Sequence, residues 1–391
     1  MPLHLHRLPA FSIAALLATV ATVATVAVAT VLPATADARP EPTAKMGMRG
    51  PIPGVPRSFV GVIADDALWG TDADPSGART MGAIKAMGAG TIRVPFLWSR
   101  FEPRPGRFDP ELYDNFMSQA AKSGLSVLPV LFDPPSHRSS RPASGAARGT
   151  YPPASNADFA RFAVGLVARY GPAGRFWDAH PELPRNPITT WQVWNEPNLR
   201  QYWPAGPNPA AYAAMLKAVG PAIRAADPRA EVVTAGLNES ETGIPLAGFL
   251  RGMYRAGARG SFTSLGIHPY ARDSTGVVAQ LRRARTVMSR YRDRARIRVT
   301  EIGWATGGPA ARRRVSEARQ AQLTRQTMER LLRLRRSFRI SGVSLFNWRD
   351  APPYPGSRDF WGLHAGLHAQ DGRAKPVVQA IAGLLGGVVR G

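Results

Sequence analysis

The chain contains no cysteine, and this absence removes several kinds of chemistry at once. Disulfides, thiolate zinc sites and thiol nucleophiles are all excluded. Stability must therefore come from a hydrophobic core. A length of 391 residues with 44% hydrophobic residues is enough for one large domain or two ordinary ones, and the composition does not indicate disorder.

Lysine and acidic residues are also scarce. The formal net charge is +23, arginine carries most of it, and lysine occurs only at positions 45, 85, 122, 217 and 375. The arginines are spread over predicted helices, so we interpret them first as a compositional bias on solvated faces. Electrostatic association with an anionic cell envelope is the alternative interpretation. No nucleic-acid recognition module is visible, so nucleic acid is not an expected partner.

Only the N-terminus contains a long apolar run. Residues 11–32 are almost entirely Ala, Val, Leu and Thr, and Ala36-Asp37-Ala38 fits a signal-peptidase site. We expect residues 1–38 to be a signal peptide and the protein to be secreted or associated with the cell envelope. An uncleaved anchor is the alternative, because this run is long enough to cross a bilayer. Residues 39–57, rich in Pro and Gly, are predicted to be a linker.

The remaining residues, 58–391, alternate between short apolar strands and amphipathic helices. Such alternation predicts a parallel sheet covered by helices, and eight units favour a single α/β domain with a (β/α)₈ TIM-barrel fold. A doubly wound open sheet is weakened by the lack of a Gly-rich phosphate loop after the first strand. The predicted strands are 59–63, 91–94, 125–131, a run starting at 189, 231–236, 262–267, 296–300 and 340–346. The predicted helices are 79–87, 110–122, 156–170, 209–226, 246–256, 277–291, 315–335 and 377–385.

Polar side chains gather where these strands end, which is where barrel enzymes place their active sites. Glu196 follows the fourth strand in TTWQVWNEPN (residues 189–198), and Glu301 ends the seventh. Strands four and seven lie on roughly opposite sides of a barrel mouth, so the two carboxylates can face each other across a pocket. A pair of carboxylates flanking a bond is what glycosidic cleavage requires.

Aromatic side chains near the same ends suggest a sugar-binding surface. They are Trp98, Trp194, Tyr270, Trp304 and Trp348. Each alone is more typical of core packing, but five together favour binding. We interpret Glu102 as a structural ion-pair partner. We expect no metal and no cofactor, because Asp133 and His137 lack further ligands nearby in the sequence.

These motifs together resemble the clan A glycoside hydrolases, which are retaining (β/α)₈ enzymes. Asn195-Glu196-Pro197 matches the clan's motif after strand four, and Thr300-Glu301-Ile302-Gly303 matches the second glutamate after strand seven. Arg93, His268-Pro269-Tyr270 and Trp348 match further clan positions. The resemblance covers residues 58–385 and is nearest to family 39, with family 5 second. Family 39 xylosidases and iduronidases usually carry an added β-sandwich that is not seen here, so a shorter envelope-directed endoglycosidase fits better.

The resemblance implies a role for each of these residues. Glu301 would be the nucleophile, with Arg93 and Tyr270 keeping it ionised, and Glu196 would be the acid and then the base. Asn195 would hold the sugar's 2-hydroxyl, and His268 would line the sugar site or position Glu196. We predict a carboxyl separation of roughly 5 Å. The expected protein is a monomeric retaining β-glycosidase acting on an oligo- or polysaccharide. The alternatives are a non-catalytic carbohydrate-binding barrel and a structural envelope protein that binds acidic polymers.

Overall fold

A computed structural model describes residues 55–144, 148–240, 242–309, 314–353 and 358–388. The predicted signal peptide and most of the predicted linker lie outside these residues. Eight parallel strands follow one another through the described chain. They are β1 (Val60–Ile63), β2 (Thr91–Leu97), β3 (Ser126–Phe132), β4 (Thr190–Val193), β5 (Glu231–Thr234), β6 (Ser264–His268), β7 (Arg296–Ile302) and β8 (Ile340–Leu345).

The eight strands close on themselves. Each pairs in parallel with its successor, and β8 pairs with β1 through Val60 and Val343. Closure leaves no open sheet edge, and it confirms the predicted (β/α)₈ barrel over the open-sheet alternative. A short strand, Leu237–Asn238, follows β5 and pairs with β6.

A long helix follows each strand, and each lies within a few residues of its predicted bounds. The eight are α1 (Ala78–Ala86), α2 (Glu111–Ser123), α3 (Asn156–Tyr170), α4 (Pro209–Ala226), α5 (Leu246–Arg255), α6 (Ser274–Arg290), α7 (Glu317–Leu334) and α8 (Pro376–Leu385). Side chains of Ser155, Asn208, Asp273 and Ser316 accept backbone N–H bonds at the starts of α3, α4, α6 and α7. These caps satisfy donors that a helix cannot pair internally, so they fix where each helix begins.

The apolar core lies mainly between strands and helices, whereas the barrel interior contains a column of polar side chains. Near the N-terminal ends of the strands, Glu231 pairs with Arg298, with 2.9 Å between Oε2 and Nη1. Midway, Gln192 Nε2 donates to the Thr300 hydroxyl at 3.4 Å. At the C-terminal ends, Arg93 pairs with Glu301. Buried polar groups need partners, and each level of this column supplies a pair, although Arg298 Nε and Asn195 Nδ2 have no partner among the described residues.

Two strands contain an extra residue near the C-terminal end of the barrel. Between the pairs Val299–Val343 and Ile302–Leu345, β7 advances three residues while β8 advances two. Between Val233–Ser264 and Leu237–Ile267, the chain after β5 advances four residues while β6 advances three. Side chains normally alternate between the two faces of a strand, and one extra residue reverses that alternation. The two irregularities therefore determine which residues beyond them face inward.

Among the described residues, no helix is both long and apolar enough to cross a membrane. The helical spacing of Phe159, Phe162, Ala163 and Leu166 predicted a buried face on α3, and all four are buried. Phe159 is fully buried and lies against Trp98 and Trp194, with ring centroids 5.8 and 5.9 Å away. This aromatic cluster joins α3 to β4 and to the segment after β2.

Replacing Phe159 tests this packing. Phe159→Ala should lower the free energy of unfolding by about 3–5 kcal/mol, because it removes buried apolar surface and leaves a cavity. Denaturant unfolding would measure the change. Phe108→Ala is the control, since Phe108 is 42% exposed and should cost much less. Equal losses in the two variants would contradict the assigned packing.

Candidate active site

Arg93 of β2 lies at the centre of the barrel mouth and is completely buried. Its guanidinium donates from Nε to Gln192 Oε1 at 2.8 Å, from Nη1 to Glu301 Oε1 at 2.7 Å and from Nη2 to Asn195 Oδ1 at 2.9 Å. Three acceptors from the β4 and β7 segments thus hold one planar cation. This arrangement fixes the position of the guanidinium and of the groups that bind it.

Glu301 is held at both of its oxygens. Arg93 donates to Oε1, and the Tyr270 hydroxyl donates to Oε2 at 2.7 Å. Burial, together with the nearby charges of Glu301 and Glu196, raises the pKa of Tyr270 well above its usual value, so this hydroxyl keeps its proton and remains a donor. The extra residue in β7 turns Glu301 inward, although its neighbour Thr300 also contacts the interior residue Gln192.

The segment after β4 presents two consecutive residues to the same site. Asn195 contacts Arg93 and Glu196 contacts His268, whereas neighbouring residues of a regular strand face opposite ways. The backbone achieves this with left-handed conformations at Trp194, where φ is 74°, and at Glu196, where φ is 38°. Such conformations are costly for residues other than glycine and concentrate at functional sites. Here they accompany the turn of the Asn-Glu pair into the mouth.

Two neutral groups lie within hydrogen-bond distance of Glu196 Oε1. Nδ2 of Asn238 donates to it at 2.7 Å, and Nδ1 of His268 lies 2.7 Å away. Asn238 is turned toward Glu196 after the irregularity that follows β5. Asn198 Nδ2 in turn donates to the Asn238 carbonyl at 3.0 Å and to its Oδ1 at 3.3 Å. Two asparagines therefore fix the carboxylate from the side of β5.

His268 is neutral in this environment. Burial, aided by the nearby charge of Arg93 and opposed by that of Glu301, lowers its pKa to about 3. Its Nε2 has no hydrogen-bond partner among the described residues, so we assign the single proton to Nδ1, facing Glu196. Gly236 makes room for the ring, because a Cβ at that position would lie 1.9 Å from Nε2.

The two carboxylates are close together. One oxygen of Glu196, one of Glu301 and a nitrogen of His268 all lie within 4.8 Å of one another. Three such groups also resemble a metal site. However, Arg93 already places a fixed positive charge 2.7 Å from Glu301, and a divalent cation would be repelled there. The geometry therefore fits a pair of reacting carboxyl groups better than a metal centre.

The structure brings six of the nine predicted site residues into direct contact: Arg93, Asn195, Glu196, His268, Tyr270 and Glu301. The other three are tryptophans, and the contacts described here join them to residues outside this group. Trp98 stacks on Phe162 and donates from Nε1 to Glu102 at 2.8 Å. Trp304 donates to the Ala271 carbonyl at 2.9 Å, and the Trp348 ring lies 4.2 Å from that of His368. All three are at most 7% exposed, and their role in sugar binding stays a prediction.

Glu102 has the structural environment that the sequence predicted. Burial opposes its charge, but hydrogen bonds from Arg138, the Gly106 N–H and Trp98 outweigh burial and lower its pKa to about 2. His137 lies 3.4 Å from Glu102. Asp133 instead accepts from the Ser99 hydroxyl at 2.6 Å. The residues that we considered as a metal pair thus have different partners.

Sequence reasoning missed several residues of the site. Gln192 accepts a hydrogen bond from Arg93, and Asn238 donates one to Glu196. The Tyr202 hydroxyl faces Asn195, and burial together with the charge of Glu196 raises its pKa. Trp361 packs edge-on against Tyr270 with ring centroids 4.8 Å apart. Gln192 is a polar residue between Trp191 and Val193 in a buried strand, and this was a usable signal. The others depend on turns and strand irregularities that have no clear sequence mark.

Comparisons with known proteins were made at the level of sequence and of structure. No protein-family profile and no curated protein matches the chain. Several solved structures do match the chain in fold. One is a family 39 glycoside hydrolase from Bacteroides cellulosilyticus, with 21% identity, TM-score 0.58, and coverage of 84% of this chain and 63% of that one. The chain thus spans less than two thirds of that protein's length.

Two other solved structures have a similar fold. A GH39 enzyme from Xanthomonas axonopodis pv. citri has 16% identity, TM-score 0.58, and coverage of 85% of this chain and 67% of that one. A GH10 endoxylanase from a sugarcane soil metagenome has 14% identity, TM-score 0.57, and coverage of 83% and 96%. At such identities the likeness shows a shared fold: the chain is a (β/α)₈ barrel of the kind that these glycoside hydrolases have.

The neutral state of His268 makes a prediction for stability. Its pKa of about 3 in the folded protein lies below the 6.5 of a free imidazole. Between these values the unfolded chain binds a proton that the folded site excludes, so stability should fall as the pH drops from about 6.5 toward 3. In His268→Asn this part of the decline should disappear when the free energy of unfolding is measured against pH.

His180→Asn is the control, because His180 is exposed and its replacement should keep the wild-type pH dependence. An unchanged pH dependence in His268→Asn would show that the buried imidazole is not excluded from protonation.

Proposed function

We propose that the protein is a retaining β-glycosidase that cleaves O-glycosidic bonds of an oligo- or polysaccharide with Glu301 and Glu196. The observation that carries the proposal is the facing pair of buried carboxylates, with oxygens within 4.8 Å of each other. Retaining enzymes separate their carboxyl groups by about 5–5.5 Å and inverting enzymes by about 6.5–9.5 Å. The close approach of one oxygen from each carboxylate supports retention over direct inversion. The glycoside hydrolases among the fold's neighbours are consistent with this reaction class.

In the proposed first step, a Glu301 oxygen attacks the anomeric carbon while the bond to the leaving oxygen breaks. Glu196 donates its proton to that oxygen and becomes a carboxylate. Arg93 and Tyr270 hold Glu301 in position for the attack. In the second step, Glu196 takes a proton from water, the resulting hydroxyl attacks the anomeric carbon, and Glu301 is released.

The hydrogen bonds on Glu196 indicate which oxygen carries the proton. Oε1 already accepts from Asn238 and from Nδ1–H of His268. With Oε1 bound by these two donors, we assign the transferable proton to Oε2. Two neutral donors on one oxygen also fix the plane of the carboxyl group, which is how a general acid is kept in line with the bond it protonates.

Asn195 is suited to bind the sugar beside the broken bond. Its Oδ1 accepts from Arg93, which directs the amide nitrogen away from the guanidinium. That Nδ2 is buried close to the Tyr202 hydroxyl and makes no hydrogen bond of normal geometry to the described residues. A buried unpaired donor is costly unless a ligand satisfies it, and we assign it to a sugar hydroxyl next to the anomeric carbon.

Export is part of the proposal. It depends on the apolar run and the Ala36-Asp37-Ala38 site in the sequence, and the absence of cysteine is compatible with an oxidising compartment. The second candidate function is a non-catalytic carbohydrate-binding barrel. The paired carboxylates argue against it, because a binding site gains nothing from two buried acids held 4.8 Å apart or less.

Substitution of the two glutamates separates these functions. Glu301→Gln should abolish turnover of aryl β-glycosides, because no covalent intermediate can form. Glu196→Ala should reduce kcat by about 10²–10⁴-fold, and less on substrates whose leaving group needs no protonation. Glu102→Gln is the control, since its carboxylate bonds Arg138 outside the pair. Small and equal losses in both glutamate variants would exclude the mechanism.

Proton NMR of the first-formed product tests retention directly. A β-linked substrate should release the β-anomer before mutarotation. Initial release of the α-anomer would establish inversion, and binding without any release would favour the second candidate.

Asn238 should act through Glu196. Removing its N–H by Asn238→Ala removes a donor that favours the ionised carboxylate, so the pKa of Glu196 should rise. The alkaline limb of kcat/KM against pH should move to higher pH, together with a loss of activity from the freer side chain. Asn186→Ala, which removes an amide bonded to the Leu125 carbonyl, is the control and should leave the limb in place. If activity falls while the alkaline limb of kcat/KM stays at the same pH, then Asn238 only supports the packing of the site.

A further inference from the structure

A cavity near the barrel axis lies at the opposite end from the carboxylate pair. It has a volume of about 450 Å³. First residues of six strands line it: Thr91, Ser126, Thr190, Glu231, Arg296 and Ile340. It therefore opens at the N-terminal ends of the strands, while Glu196 and Glu301 lie beyond the C-terminal ends. The two sites are separated by the length of the barrel.

The lining of this cavity is strongly basic. It contains Arg296, Arg298, Arg335 and Arg336 and a single carboxylate, Glu231, so its formal charge is +3. Positive charges that line a concave, partly desolvated surface focus the field and concentrate anions there. The positive charge of this lining is therefore a local concentration of arginine, in addition to the chain's overall net charge of +23.

Glu231 does not neutralise the cavity, because its bonds are directed into the barrel. Its Oε1 accepts from the Ser264 and Ser341 hydroxyls, the latter at 2.7 Å, and its Oε2 accepts from Arg298 Nη1 at 2.9 Å. Burial opposes the charge, but Arg298 and the two hydroxyls outweigh it and lower the pKa of Glu231. The carboxylate is ionised and its bonds are made within the barrel, so the lining keeps a formal excess of three positive charges.

Arg298 supplies a further unused donor. It is only 6% exposed, and its Nε has no hydrogen-bond partner among the described residues. Gly342 allows the guanidinium to lie against β8, because a Cβ there would be 2.9 Å from Cζ. A buried N–H of a charged group that is left unpaired is unfavourable unless a ligand accepts from it.

We infer that this cavity is a binding site for an oxyanion that carries two or more negative charges, such as a phosphate group. Guanidinium groups bind such oxyanions through paired N–H bonds. Arg296 and Arg336 are exposed at the rim, where they can meet a ligand without disturbing the fold. The hydroxyls of Ser58, Ser126 and Thr189 also line the cavity and offer neutral donors.

Calorimetric titration of the purified protein with pyrophosphate, at fixed pH and ionic strength, tests the site. We expect saturable binding at one site. The double variant Arg296→Gln/Arg336→Gln should weaken it by at least about tenfold, because charge-assisted hydrogen bonds are lost. The matched control is Arg255→Gln/Arg282→Gln. It removes the same charge from two exposed residues of α5 and α6 outside the cavity and should change the dissociation constant by less than about twofold.

A long-chain polyphosphate forms the second arm and distinguishes the source of the anion. Tighter binding than pyrophosphate, lost in the same double variant, would assign the site to an anionic polymer. Equal affinity would assign it to a small free anion. Equal weakening in the two double variants, or no saturable binding at all, would overturn the proposal. Glycoside turnover is not needed for any of these readouts, so the result is independent of the proposed function.

Discussion

The ion pair between Arg93 and Glu301 is the interaction on which the barrel mouth depends. Both side chains are at most 3% exposed, so each charge would be very unfavourable without the other. Gln192 and Asn195 accept from the other two guanidinium nitrogens and tie β2 to the β4 segment. Loss of either partner would leave a buried charge uncompensated. Because both charges are buried and must stay paired, the positions of Arg93 and Glu301 are fixed relative to each other.

The same principle recurs along the barrel axis. Arg298 and Glu231 form a second buried pair near the opposite end, and Gln192 with Thr300 lies between the two pairs. Both ends of this column therefore contain buried charged groups instead of the branched apolar residues that usually fill such a barrel. At the C-terminal ends the charges balance around two glutamates. At the N-terminal ends an excess of arginine remains. One column of residues thus produces two sites of opposite character.

Most of the fold could be predicted because it depends on periodicity. The apolar face of α3 and the eight strands carry local signals, and the barrel confirmed them. The site was predictable where a carboxylate lies at the end of a strand, as with Glu196 and Glu301, whereas Arg93 lies inside β2 and was identified through the family resemblance. Asn238 was not predictable as a partner of Glu196, because it turns inward only through an extra residue opposite β6. The left-handed conformations of Trp194 and Glu196 likewise carry no local signal, since neither residue is a glycine.

The two glutamates differ in their partners more than in their burial. Glu301 accepts from a permanent cation, Arg93, and from the Tyr270 hydroxyl. Glu196 accepts from an amide and from an imidazole that its surroundings keep neutral. Only Glu301 has a full positive charge beside it, and such a charge stabilises a carboxylate that attacks as an anion. The assignment of nucleophile and acid in the proposed mechanism therefore follows from the position of a single arginine.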